Sequence, residues 1–453
     1  MEKKALFGIL LSFFLTGAGF AGKPLILSLE DSIQRALKYN LDVQIARIEI
    51  EKTKLELKKE KASFRPQAGI STYPLQWKGD YNLFKYSPRV DFDASLFTQW
   101  GMAATLSLTG EKEENDKMES SLSLTVTQKI LPAPELASSY LSFRKSFLNL
   151  EKKKVSSEEE IENIKLLVIT SFYEILKQQK ECELKKISLE KARENLRIVK
   201  DKLKRKMAGK IDLMDAEIEL IRAEEELYQV ESDLLQSMTD FKELLGIRVD
   251  EEIALDDKIS IDDRFLKIEL EDAIKKALEN NRQIHEQLLT INIRQFDLLT
   301  NKSEASPSLN LLAGCSYNQL GQRETEYRIG VYVEIPVLDG EKGKTNIQIA
   351  QKELDREKLN LEKLKREISA KTRDNFYTLK RLEKRIHLLE LFREKQKEAL
   401  NIAKKMLSQG ALTSQEVRER EIALIQAEID YIETLAGYEL ARACLLKNMG
   451  KGI

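Results

Sequence analysis

The chain is poor in the residues that break helices and in those that carry out chemistry. It has 19 Gly and 8 Pro in 453 residues, about half the usual share, which leaves little material for a loop-rich enzyme. Two His and three Cys argue against most His/Cys metal centres and His-based triads. Basic and acidic residues number 74 and 75, for a formal net charge of -1, so no basic face points to nucleic acid. Beyond the N-terminus no apolar run approaches the length of a membrane helix. Any membrane contact of the mature chain must then be made by strands. What is abundant is charge, 33% of residues against roughly 25% in ordinary proteins. A hydrophobic content of 42% is too high for a disordered chain. Together these features describe long amphipathic helices.

Residues 1–21 read as a secretory signal peptide. Lys3 and Lys4 form its positive region, Ala5 to Leu15 its apolar core, and Gly19-Phe20-Ala21 its small-residue cleavage site. The other reading, a start-transfer anchor, is disfavoured by the short apolar run. Cys182, Cys315 and Cys444 are far apart and form no CxxC. They read either as small apolar fillers or as one Cys182–Cys444 bridge with a cysteine left over.

The sequence is internally duplicated. Leu29-Glu30-Asp31-Ser32-Ile33 returns as Leu270-Glu271-Asp272-Ala273-Ile274, and Asn40 as Asn281, at an offset of 241 that still holds at Pro66 and Pro307. From Pro132 and Pro336 onward the offset is 204: Phe172-Tyr173 matches Phe376-Tyr377, and Gly246 matches Gly450. The first copy therefore holds 37 extra residues within 67–131, a segment rich in aromatics and proline. The predicted division is a first repeat over 22–249, a linker over 250–267 and a second repeat over 268–453.

Each repeat has the same predicted order. A helix comes first (29–62 and 270–304), opened in the first copy by Ser28 as N-cap and closed by Pro66 or Pro307. A β region follows, 67–131 with its insertion in the first copy and a hairpin over 307–338 in the second. Four stretches alternate apolar and small polar residues, as in Leu122, Leu124 and Val126 against Ser121, Ser123 and Thr125. Such strands have one greasy and one wet face, which suits a soluble sandwich or a membrane barrel. Four strands cannot close a lumen alone, so a barrel would have to be shared between chains. Long helices over 138–207 and 342–408 carry heptad patterns, for example Ile161, Ile164, Val168, Ile175, Cys182 and Leu189. Return helices over 213–245 and 414–448 complete each copy.

The duplication, the Leu-x-x-Ala opening segments, Ile335-Pro336-Val337-Leu338-Asp339-Gly340 and the two helical turns, Gly209-Lys210-Ile211-Asp212 and Gly410-Ala411-Leu412-Thr413, together resemble the TolC family of outer-membrane efflux and secretion ducts. The resemblance covers essentially all of the mature chain. It implies a mainly α fold with a membrane β part: a homotrimer whose long coiled-coil helices form a periplasmic α-helical barrel. Above it would stand a shared 12-stranded transmembrane β-barrel in the outer membrane, four strands from each chain. The implied function is a passive exit duct of a tripartite efflux or type I secretion system. Its partners would be a periplasmic adaptor protein and an inner-membrane transporter, with no enzyme activity, cofactor or metal. The competing reading is an exported soluble coiled-coil scaffold.

A duct needs a gate and a docking surface instead of a catalytic group. Asp212 and Asp215 match the family's acidic Asp-x-x-Asp-Ala pattern at the tip. Glu416 and Glu419 are their counterparts, followed by Arg420 in place of Ala. In a trimer each acid would become a ring of three and focus a negative field across the pore. The plain alternative is that these acids favour a helix N-terminus. The resemblance places adaptor docking at Met207, Gly209, Lys210, Ile211 and Leu213, and at Leu407, Gly410, Leu412, Thr413 and Ser414. Gly340 to Thr345 looks like a phosphate loop but lacks the required four-residue gap.

Overall fold

The computed structural model describes residues 25–75, 77–78, 85–112, 118–133, 138–256, 268–320, 322–335 and 338–452. The signal segment, most of the 250–267 linker, Pro336 and Val337 lie outside them. The first repeat runs β1 (Leu25–Leu27), α1 (Leu29–Tyr39), α2 (Leu41–Ala62), β2 (Gln67–Tyr73), β3 (Trp77–Lys78), β4 (Lys85–Tyr86), β5 (Arg89–Phe97), β6 (Met102–Lys112), β7 (Met118–Leu131), α3 (Ser138–Lys204) and α4 (Lys210–Leu244). The second runs β8 (Ile253–Leu255), α5 (Leu270–Asn280), α6 (Arg282–Ala305), β9 (Ser308–Leu320), β10 (Gln322–Glu334), α7 (Lys342–Ser408) and α8 (Ser414–Asn448).

The helices predicted over 29–62 and 270–304 are each two helices, broken at Asn40 and Asn281. Both asparagines are extended, with ψ of 134° and 129°. The Asn40 side-chain oxygen accepts from the backbone N–H groups of Asp42 (2.8 Å) and Val43 (3.2 Å). Asn281 accepts likewise from Gln283 (2.9 Å) and Ile284 (3.3 Å). Each thereby caps the helix that follows. The side-chain amides reach across the chain: Asn40 Nδ2 donates to the Leu244 carbonyl at 2.9 Å, and Asn281 Nδ2 to the Asn448 carbonyl at 3.1 Å. Each repeat thus ties the end of its return helix to the break in its first helix. Close approach there needs glycine. Gly246 and Gly450 have positive φ, and a Cβ would stand 2.8 Å from the Tyr39 carbonyl oxygen in one case and 2.1 Å from that of Asn280 in the other.

These latches sit on the main core, midway along the two 67-residue helices α3 and α7. Phe172, Tyr173 and Ile175 of α3 pack there with Phe241 of α4, Leu379 and Ile386 of α7, and Leu435 and Tyr438 of α8. Parallel pairing of β1 with β8 closes the same waist and joins the two repeats. Most of the heptad positions read from the sequence are buried, among them Ile164, Val168, Cys182 and Leu189 on α3 and Leu361, Ile368 and Leu382 on α7. All three cysteines are free, so the Cys182–Cys444 bridge is not formed and the filler reading describes them.

On the sheet side of the waist the helices stand in the row α2-α3-α6-α7; on the far side the row is α4-α3-α8-α7. Charged side chains lace the far rows together. Lys185 meets Glu226 at 2.8 Å between α3 and α4, Lys180 meets Glu428 at 3.0 Å between α3 and α8, and Lys404 meets Glu421 at 3.1 Å between α7 and α8. Such exposed pairs set register more than stability. On the sheet side Glu357 of α7 is buried and accepts from Gln287 of α6 (2.9 Å), Asn360 and Arg356. These donors hold its carboxyl at about 2.

The sheet is where the structure departs most from the sequence reading. Instead of four strands it has six, all antiparallel, in the order β10-β9-β7-β6-β5-β2. β2, β7, β9 and β10 all meet their helices at one end of it. One face is apolar from edge to edge: a single register row runs Ala68, Ala94, Leu106, Leu124, Cys315, Tyr327. The neighbouring row on the other face runs Gly69, Asp93, Ser107, Ser123, Ser316, Glu326. A bulge between Lys129 and Leu131 shifts β7 by one residue. This is why the offset that aligns Pro132 with Pro336 fails to align apolar residues farther up the strand.

Replacing Asn40 or Asn281 with Ala removes a double cap and a donor to a helix end, and is expected to cost about 2 kcal/mol at each site. Asn40→Asp keeps the cap but sets a carboxylate oxygen against the Leu244 carbonyl, so it should cost at least as much. Thermal unfolding of the extracted protein checks the order. Because the Glu357 pKa is depressed, its contribution is present above the ordinary carboxylate range. It should fade as pH falls from about 4.5 toward 2, and Glu357→Gln should flatten that part of the stability–pH curve.

Candidate functional site: the helical tip

The end of the helix row farthest from the sheet is made by two turns, α3–α4 and α7–α8. Both chain reversals follow one geometry. Met207 N–H donates to the Lys202 carbonyl (2.8 Å) and Lys206 N–H to Leu203 (2.9 Å). In the second repeat Ala411 N–H donates to Met406 and Gly410 N–H to Leu407, both at 2.9 Å. This is the doubly bonded helix ending that needs a left-handed residue. Gly410 takes it at φ 73° and Lys206 at φ 61°. Gly209 and Gly410, grouped from the sequence as the two turn glycines, are therefore not equivalent. Gly209 and Thr413 are the N-caps of α4 and α8.

The four acids fall into different environments. Asp212 accepts from the Gly209 backbone N–H at 2.7 Å. Glu416 accepts from the Thr413 N–H at 2.8 Å and its hydroxyl at 2.9 Å, while the Glu416 N–H donates back to Thr413 Oγ1 at 3.3 Å. Both are capping-box acids. The Thr413 N–H, and after it the hydroxyl, holds the Glu416 carboxyl below its usual pKa. Glu419 pairs with Lys191 of α3 at 3.1 Å. Asp215 is exposed on the first-repeat side. Helix capping thus accounts for one acid of each pair; of the other two, Glu419 is tied to α3 by its ion pair and Asp215 stands exposed.

The residues expected to dock a partner also divide. Met207 and Ile211 are highly exposed, and Met214, which the sequence reading did not single out, lies exposed with them. Its signal was the three-residue step from Ile211, continued at Ile218 and Ile221, which are exposed too. Gly209, Lys210, Leu407, Gly410, Thr413 and Ser414 are exposed, Leu213 is half-buried, and Leu412 is drawn in against Leu400, Ala403 and Val417. The apolar surface of the tip belongs mainly to the first repeat. Gly340, Glu341 and Gly343 only turn the chain into α7, where Gly343 N–H donates to Asp339 at 2.8 Å. Among the described residues no cluster could hold a metal ion, and no helix is long and apolar enough to cross a membrane.

With this geometry in view, residues 273–451, from α5 through α8, match the family model described as outer membrane efflux protein. The second repeat is thus the part of the chain similar to that family. The whole chain shares its fold with solved channel structures. The CmeC outer membrane channel of Campylobacter jejuni superposes with a TM-score of 0.67 at 15% identity, over 94% of this chain and 86% of that one. The outer membrane protein VceC of Vibrio cholerae gives 0.64 at 12%, over 94% and 96%. The open MtrE outer membrane channel of Neisseria gonorrhoeae gives 0.58 at 12%, over 94% and 89%. No curated protein sequence matches. The matched segment contains the β9–β10 hairpin and the second tip turn. The first repeat, which carries the exposed tip residues and the extra strands, lies before the matched segment.

Lys206 is a non-glycine residue held left-handed, so Lys206→Gly is expected to stabilise the α3–α4 turn by about 1 kcal/mol, read as a raised unfolding temperature. At the second turn, acid should act locally. The lowered Glu416 pKa means that its cap is intact at neutral pH and is lost as pH falls below the usual carboxylate range. Hydrogen exchange at 413–417 should accelerate there, and Glu416→Gln should remove the pH dependence.

Proposed function

We propose that the protein is the outer-membrane exit duct of a tripartite efflux or type I secretion system. The observation that carries this reading is the inside-out sheet. Leu122 and Leu124 are exposed while Ser121, Ser123 and Thr125 alternating with them are half-buried, and among the described residues the sheet packs against no second layer. A soluble sandwich would bury the apolar face against another sheet. A membrane barrel presents it to lipid and turns the polar face to a lumen. This favours a duct over a soluble coiled-coil scaffold.

The helices support assembly from several copies. By the duplication, α7 is the counterpart of α3. α3 is flanked on both sides, by α2 and α4 on one and by α6 and α8 on the other, whereas among the described residues α7 has neighbours on one side only. Tyr173 of α3 is buried, yet its counterpart Tyr377 is 59% exposed. On the opposite edge α4 shows Ile211, Met214, Ile218, Ile221, Tyr228 and Leu235, a heptad stripe left exposed among the described residues. Seating the α2/α4 edge of one copy on the α7 face of the next would repeat the packing already made within the chain. A ring of three such copies would stand in the outer membrane with its helices in the periplasm.

In that ring the tip turns meet an adaptor protein through Met207 and Ile211. The acids at 212, 215, 416 and 419 surround the narrow end, Asp215 with a carboxylate not spent on capping. The duct passes solutes delivered by an inner-membrane transporter, and opening loosens the helices at the tip. A species near three chains, extracted by detergent from the outer-membrane fraction, is the expected result. A soluble periplasmic monomer would return the scaffold reading. In bilayer recordings Asp215→Asn should lower cation preference several-fold, whereas Asp212→Asn should mainly loosen the α4 cap. Unchanged selectivity in the first variant would remove Asp215 from the gate.

A further inference from the structure

The 37 residues by which the first repeat exceeds the second fall at a definite place in the sheet. The offset of 241 makes β2 the counterpart of β9, with Ala68 and Ile70 matching Leu309 and Leu311. β7, which leads into α3, is the counterpart of β10, which leads into α7. In the second repeat these two strands are direct neighbours. In the first they are not: the β5–β6 hairpin lies between β2 and β7 and pairs with both. The β5–β6 part of the insertion is therefore in the sheet and is not a loop above it.

The inserted hairpin has the chemistry of the strands around it. Phe92, Ala94 and Leu96 of β5 and Ala104, Leu106 and Leu108 of β6 continue the apolar face in register. Asp91, Asp93 and Ser95 with Thr105, Ser107 and Thr109 continue the polar one. The strands have nine and eleven residues, the length a tilted strand needs to cross a bilayer. Their turn carries Trp100, 76% exposed, at the helix end of the sheet, where Gln128 Nε2 donates to its carbonyl at 2.8 Å. An exposed tryptophan at the border of an apolar band is the usual interfacial anchor of a membrane barrel.

We propose that β5–β6 is a third membrane-spanning hairpin, so that each chain contributes six strands and β2 of one copy pairs with β10 of the next. The polarity allows this closure. Six alternating strands leave β2 and β10 running in opposite directions at the two edges, so their union is antiparallel like every other pair in the sheet. Both edges are open and apolar, with Ile70 74% and Ile329 89% exposed, a state that calls for a partner strand. Resting on the three-copy reading above, the barrel would have six strands from each of three chains, 18 in place of 12. Since diameter grows roughly in proportion to strand number, its lumen would be about 1.5 times as wide. It would be lined on the added strands by Asp91 and Asp93.

The test uses the full chain in lipid vesicles, with Trp77 and Trp100 replaced by Phe. Single tryptophans are then introduced as Phe92→Trp, Leu108→Trp and Asp93→Trp, with Leu311→Trp on β9 as the reference. Lipids brominated on the acyl chains should quench positions 92, 108 and 311 alike, several-fold more than 93. Quenching at 311 with none at 92 and 108 would overturn the proposal while leaving the duct reading intact. Absence of quenching at all four would overturn both. Closure is read by cross-linking cysteines at 71 and 330, with the native cysteines replaced by Ser. A bifunctional thiol reagent should join different chains into a three-chain ladder. Links between these two positions confined within one chain would overturn closure between copies, and a link between Ser71→Cys and Ser123→Cys would mean that β2 pairs with β7 and the hairpin is excluded.

Discussion

Two asparagines hold the architecture together. Asn40 and Asn281 each break a helix, cap the next one and bind the last turn of a return helix. A single amide does all three because its oxygen and nitrogen face opposite ways. Without the break, the first helices would run straight past the waist. Without the cross-chain bond, the return helices would have no fixed end. The two contacts join residues 204 and 167 positions apart and fix the C-terminal ends of α4 and α8 at the waist. The glycines at 246 and 450 serve this contact by letting backbone meet backbone.

Much of this was legible in the sequence, for physical reasons that can be named. The heptads of α3 and α7 are long enough that no short-range accident could imitate them, and their buried faces are the ones the spacing indicates. The duplication was visible because both copies solve the same packing problem with the same residues. Asn40 and Asn281 were noticed as matching letters. Their role was missed because an asparagine inside an amphipathic pattern costs little in propensity, and only its distant partner reveals the break.

The sheet was read incompletely for a different reason. β2 contributes only Ala68 and Ile70 to the apolar face, and β5 interleaves Asp91 and Asp93 with it, so neither looks like a strand buried on one side. Their alternation becomes clear only once the register aligns them with β6 and β7. The tip shows a third kind of limit. Asp212 and Asp215 stand three apart near the start of α4, and only the hydrogen bond from the Gly209 N–H singles out Asp212 as the capping acid. Lys206 gave no hint of a left-handed backbone, since composition carries no record of strain.

The waist has a mechanical meaning. The packed core grips α3 near Phe172 and Tyr173, roughly midway along a rod of about 100 Å. From there to the last turn of α3 is a lever arm of about 45 Å, on the same rise per residue. A tilt of about 5° at the core, within the freedom of packed helices that slide by small shears, would sweep the tip through about 4 Å. Charged pairs such as Lys185–Glu226 and Lys180–Glu428 can exchange along such a stroke at small cost, since each is exposed and weak. A rod held at its middle in this way would convert a small tilt at the core into a larger displacement at the tip.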